Sequence, residues 1–235
     1  MSVTWAIELD ASPAERVRAD LLVTPFFAED RPLRGAASRI DWRLCGLLSE
    51  MLGRGAFSGA PEEVVLVPTD ARLRAPRALL VGLGPRESFS PKALRRSAQL
   101  AVARAAALRA GIVALALPTE ASTGLAAEKG AAAVLIGAGE ALVERPFPLR
   151  LRLVVEAAAI PRVRIALADL VPRIEMEGVV ARLAAPEVEP RPVVAAPAAA
   201  TPAGGSHHLA EGGASLPPAG PRGSAAPSAK LPSLP

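Results

Sequence analysis

Few residues in this chain combine the type and spacing that chemistry needs. Gly82-Leu83-Gly84 stands between a strand-like run and a helix opening at Ser90-Pro91. Backbone N–H groups at such a turn can cradle a phosphate. The third glycine of the dinucleotide fingerprint and the Lys-Ser/Thr of a P-loop are both missing. Gly82 and Gly84 are thus the only anion-binding candidates, and a tight strand exit is the preferred reading. His207-His208 lies in a Gly/Pro-rich stretch without companion ligands at rigid spacing, so no metal site is expected there. Cys45, the single cysteine, should pack as a small hydrophobe, since both histidines lie beyond residue 200. Asp41 and Arg43 beside Trp42 read as helix-surface charges. Lys92, Arg95, Arg96 and Arg104 read as a solvated basic helix face. No catalytic residue, cofactor or metal ligand is assigned.

The elements that would position these residues alternate in type. Short apolar runs at 3–9, 20–25, 63–67, 77–81, 112–117 and 149–156 predict strands. A helix is expected over 37–52, with Ile40, Leu44, Leu47 and Met51 on its inner face and Gly53 and Gly55 ending it. Ser90 as N-cap and Pro91 at the first helical position open a second helix. Its inner stripe is Leu94, Ala98, Ala101, Val102 and Ala105, and Gly111 is expected to close it. A small-residue helix follows over 124–143, then a helical region over 163–183 that Pro172 should divide. Near-continuously apolar strands separated by helices predict a layered α/β domain with a mostly parallel central sheet.

Composition narrows the function classes. The chain has 235 residues, 51% hydrophobic, 21% charged and 3% aromatic, with 27 bases against 23 acids. A formal charge of +4 is too mild to mark a nucleic-acid or membrane-surface protein. With no tyrosine and few other aromatics, stacking on single-stranded nucleic acid has little to work with. One cysteine excludes an internal disulfide and fits a reducing compartment. The amino terminus shows no export signal and no run of 18 apolar residues occurs, so a cytoplasmic protein is expected. Residues 184–235 hold 11 of the 24 prolines and no aromatics. That composition predicts a disordered Pro/Ala/Gly-rich tail following a folded domain over 1–183.

Several segments, taken in order, resemble the amino-terminal domain of the leucyl aminopeptidase family. They are the run opening at Asp20 (DLLVTPFFAEDRPLRGAASRIDWRLCGLLS), residues 77–104 (RALLVGLGPRESFSPKALRRSAQLAVAR) and residues 126–144 (AAEKGAAAVLIGAGEALVE). Agreement in order and spacing covers about residues 15–156. The resemblance implies a macro-domain-like three-layer α/β sandwich packed beside a separate catalytic domain. It also implies that catalysis, two-metal hydrolysis assisted by Lys and Arg, belongs to that other domain. The family's Asn-Thr-Asp-Ala-Glu-Gly-Arg run does not occur in this chain. After Asp70 the only aspartate is Asp169, and after Glu156 the other acids are Glu175, Glu177 and three glutamates of the tail, an inventory that does not supply the several converging carboxylates two hard cations need.

Three functional readings follow. The preferred one is a non-catalytic homologue of that amino-terminal domain, a protein-interaction or regulatory module with a protein partner or self-association. The second is a nucleotide or ADP-ribose binder using the macro-like cleft, by fold analogy. It would need Asp20 and the Gly137-Ala138-Gly139 segment as contacts, and neither matches the macrodomain pattern. The third is an accessory subunit of a metalloaminopeptidase whose catalytic chain is encoded separately. Neither nucleic acid nor membrane is expected as a partner.

Overall fold

A computed structural model of the chain describes residues 3–173 and 179–184. The expected tail over 184–235 and the His207-His208 pair lie, apart from Ala184, outside the described residues.

Among the described residues seven strands form one sheet: β1 (Val3–Asp10), β2 (Leu21–Phe26), β3 (Val64–Pro68), β4 (Arg77–Gly82), β5 (Ile112–Ala116), β6 (Arg150–Val154) and β7 (Val179–Leu183). Their order is β3-β4-β2-β5-β6-β1-β7, parallel throughout except for β3, which runs antiparallel to β4. Among the described residues there are six α-helices: α1 (Gly35–Arg43), α2 (Leu47–Gly53), α3 (Pro91–Ala107), α4 (Glu120–Thr123), α5 (Ala127–Glu144) and α6 (Ile160–Leu170).

Alternate side chains of each central strand divide between two cores, as the pleat requires. Leu21 and Val23 of β2, Val113 and Leu115 of β5, and Leu151 and Leu153 of β6 join α3, α5 and α6 on one face. Leu22, Phe26, Ala78, Leu80, Ala114 and Ala116 join α1 and α2 on the other. Because both faces are covered, the strands read as continuous apolar runs. The result is the α/β three-layer sandwich expected from the sequence.

Three local expectations need correction. The helix expected over 37–52 is two helices. Cys45 (φ 59°) and Gly46 (φ 82°) turn the chain through left-handed backbone between them. The break shifts the buried stripe after Leu44 from Leu47 and Met51 to Leu48 and Leu52, and leaves Leu47 36% exposed. The second helix closes at Arg109 (φ 53°), not at Gly111, and Ser90 sits at the N-cap without a side-chain hydrogen bond. Residues 179–183 form a strand, where helix was expected. Pro172 falls in a short 3₁₀ turn, and the chain then returns to pair β7 with β1, Ile7 beside Leu183. Parallel pairing to an apolar edge outweighs the weak helical periodicity of Val-Val-Ala-Arg-Leu.

Candidate functional site

In an open α/β sheet, ligands collect at the carboxyl ends of the strands where the crossovers change direction. Here that point lies between β2 and β5. The chain leaves β2 toward β3 and β4 and leaves β5 toward β6. The residues gathered there come from three strand exits: Phe27, Glu29 and Asp30 after β2, Arg86 and Phe89 after β4, and Ser122 after β5.

Arg86 organises all of them. Its Nη2 donates to Asp30 Oδ1 at 2.7 Å, and its Nη1 donates to the Ser122 carbonyl. The guanidinium stands 4.0 Å from the centroid of the Phe27 ring, a cation–π contact, and Phe27 meets Phe89 edge-on at 5.2 Å. The Arg86 backbone N–H donates to the Glu29 carboxylate at 3.1 Å. Asp30 is buried, and its second oxygen accepts the Phe27 N–H at 3.0 Å. One side chain therefore ties the β2 exit to the β5 exit across the crevice. A void lined by Phe89, Leu117 and Leu125 is only about 10 Å³.

The Gly82-Leu83-Gly84 turn lies beside this cluster, with its N–H groups already engaged. Gly82 donates to the Glu63 carbonyl at 2.8 Å, Leu83 to Phe26 at 2.9 Å and Gly84 to Gly59 at 2.9 Å. A β-carbon at Gly82 would overlap the Ala60 carbonyl oxygen and lie 2.7 Å from the Gly59 carbonyl carbon. Gly84 has φ +78°, and a β-carbon there would stand 2.7 Å from the Pro61 ring. Both glycines let segment 59–61 cross close over the strand exit.

That crossing segment forms an anion nest which the protein fills itself. Glu63 Oε2 accepts the N–H groups of Ser58, Gly59 and Ala60 at 2.8, 2.7 and 3.1 Å, and the Ser58 hydroxyl at 3.1 Å. Burial disfavours the Glu63 carboxylate. The four hydrogen bonds outweigh burial and hold its pKa below the ordinary 4.5.

The remaining sequence candidates scatter. Asp20 sits at the amino end of β2, where its carboxylate accepts the Ile112 N–H at 2.8 Å, at the opposite edge from the crevice. Gly137-Ala138-Gly139 is a buried stretch inside α5, where Gly137 meets the Arg95 carbonyl of α3. Asp41 is a buried cap rather than a surface charge: it accepts the Leu48 and Ser49 N–H groups at 2.8 and 3.2 Å and so starts α2. Cys45, expected to be packed, is exposed. Arg95 pairs with Glu140, and Arg96 pairs with Glu62 at 3.1 Å. These four residues rim a groove of about 890 Å³ that also borders Gly82. Of the basic face of α3, Arg95 is thus paired with α5 and Arg96 with the loop before β3. Among the described residues no group of three or more His, Cys, Asp and Glu side chains converges as metal ligands would, and no helix is long and apolar enough to cross a membrane.

Sequence reasoning missed Arg86. The only signal was an arginine two residues past a glycine-rich strand exit, in Gly84-Pro85-Arg86.

Comparison with known proteins agrees with this architecture. The "Probable cytosol aminopeptidase" of Alkaliphilus oremlandii is 25% identical over 131 residues, 56% of this chain and 25% of that protein. That of Thermosynechococcus vestitus is 40% identical over 81 residues, 34% of this chain and 16% of its own length. The chain thus spans at most about a quarter of the curated relatives it matches here. Among solved structures, a mutant tomato leucine aminopeptidase superposes with TM-score 0.53 at 22% identity, covering 71% of this chain and 36% of that one. A mutant macrodomain of Oceanobacillus iheyensis superposes with TM-score 0.59 at 12% identity, covering 70% and 92%. The sequence profile "Cytosol aminopeptidase family, N-terminal domain" matches residues 23–144, more than half of the sequence. Through that N-terminal domain, the chain belongs to the cytosol aminopeptidase family.

Proposed function

We propose that this domain works by binding a protein partner and not by catalysis, as an interaction or regulatory module of the aminopeptidase type. One observation carries the reading: Arg86 occupies the crevice where an α/β sheet of this topology would hold a small ligand. Four of the chain's carboxylates are already engaged within the fold. Asp30 holds Arg86, Asp41 caps α2, Glu63 fills its nest, and Glu8 pairs with Arg150 and Arg152 at 3.2 and 2.7 Å. With these groups satisfied inside the fold, the outer surface is left for recognition. A cytoplasmic setting fits the single cysteine and the family.

The alternative nucleotide-binding reading requires Arg86 to leave Asp30 and Ser122, which uncovers a buried carboxylate. The accessory-subunit reading differs only in the partner, a catalytic chain. Hydrolysis of a leucyl amide by the purified chain, with manganese or zinc added, tests the proposal. No turnover is expected. Metal-dependent turnover that co-purifies with the chain would refute the reading. Turnover appearing only on adding a family catalytic domain would favour the accessory subunit.

A further inference from the structure

Trp42 is 77% exposed, whereas Trp5, the chain's other tryptophan, is fully buried. A tryptophan left this open is costly in water and typical of binding hot spots. It lies at the end of α1 and lines a hollow of about 790 Å³ with Ser38, Asp41, Arg43, Cys45 and Arg72. Arg39 precedes Trp42 by three residues on α1 and shares its side of the helix. The left-handed turn at Cys45 and Gly46 ends α1 and leaves the indole projecting from its last turn.

The charged side chains around this tryptophan are mostly basic, with Asp70 the exposed acid of the adjoining 69–76 loop. Arg39, Arg43 and Arg72 are exposed. Arg43 donates from Nε and Nη2 to the Arg72 carbonyl at 3.3 and 3.2 Å, which fixes the 69–76 loop against α1. The acid in the hollow, Asp41, is buried and used by the Leu48 and Ser49 N–H groups. The other acid of this helix pair, Glu50, is held by Arg54 at 2.5 Å. Among the described residues, no carboxylate lies within ion-pair distance of Arg39, Arg43 or Arg72. The α3–α5 groove differs in kind, because there each arginine already has its glutamate.

We propose that the Trp42 hollow is the docking surface of this domain and receives an acidic segment of a partner protein. An apolar side chain of that segment covers the indole, and its carboxylates pair with Arg39 and Arg72. A single open aromatic in a hollow suits one buried anchor side chain, whereas single-stranded nucleic acid is held on successive stacking aromatics. Guanidinium groups match carboxylates in paired hydrogen bonds. The inference rests on the interaction-module reading and names its surface.

The test uses the full chain and a labelled glutamate-rich peptide of about twelve residues with two central leucines. Controls are the same peptide with glutamines and a single-stranded oligonucleotide of equal charge. Binding is read by anisotropy, and by loss of acrylamide quenching of Trp42, which Trp5 does not obscure because it is already shielded. The expected result is saturable binding of the acidic peptide, weakened at least tenfold by Trp42→Ala, by the double change Arg39→Glu/Arg72→Glu, and by the glutamine peptide. Both variants should melt as the parent does, since the replaced side chains are exposed. Absence of binding, or binding that ignores both variants, overturns this surface while leaving the interaction-module reading standing. Tighter binding of the oligonucleotide than of the peptide also overturns it. Leucyl-amide hydrolysis by the same preparation would instead overturn the module reading.

Discussion

Arg86 Nη2 lies 2.7 Å from Asp30 Oδ1, and this pair joins the loop after β4 to the loop after β2 at the mouth of the sheet. Asp30 is buried and Arg86 is about one-third exposed, so the pair closes the crevice from its solvent side.

Arg86→Ala should therefore destabilise the protein by about 1–3 kcal/mol, because it leaves the Asp30 carboxylate buried with only the Phe27 N–H. Arg86→Lys should recover little, since one ammonium cannot reach Asp30 and Ser122 while lying flat on Phe27. Urea midpoints of the three proteins check this. Equal midpoints would show the bridge to be incidental.

The glycine turn gives a second test. Gly82→Ala must displace the backbone of segment 59–61, whereas Gly84→Ala meets a proline ring and pays for a positive φ. Both should destabilise, Gly84→Ala by about 1–3 kcal/mol and Gly82→Ala by more. Denaturant midpoints for the two variants decide the order.

Much of this fold was legible because the strands are apolar on both faces and the turns carry Gly and Pro. The carboxyl-end cluster was not legible, because it joins residues 27–30, 86–89 and 122 through space and no local pattern links them. Asp41 illustrates the same limit. Beside Trp42 and Arg43 it reads as surface charge, yet the break at Cys45-Gly46 folds α2 back so that its first N–H groups meet the carboxylate. The strand β7 was read as the end of a helical region, and its pairing with β1 shows it to be a strand.

Glu63 supplies a pH dependence. Its folded pKa lies below the ordinary 4.5, so the carboxylate stabilises the protein fully above 4.5. That contribution is lost as the pH falls through the lower folded value. Glu63→Gln should lower the melting temperature at pH 7, and the gap to the parent should close in acid. Thermal melts from pH 7 to about pH 3 would show this. A gap independent of pH would assign the effect to something other than ionisation.

Composition proposes a domain boundary at residue 183, and the last described strand, β7, allows a test of it. The Ala184 N–H donates to the Ile7 carbonyl at 2.8 Å, which closes that strand. A chain ending at Ala184 should melt at the parent temperature. One ending at Arg173 should melt lower, because it bares the β1 edge. Equal melting of the two would remove β7 from the structural account.

The most direct measurement is calorimetric titration of the full chain with ADP-ribose and with ATP. If Arg86 fills the crevice, the parent protein releases no binding heat up to about millimolar ligand. Micromolar binding of either nucleotide by the parent, lost in Gly84→Ala without loss of folding, would contradict the account and make the crevice a ligand site.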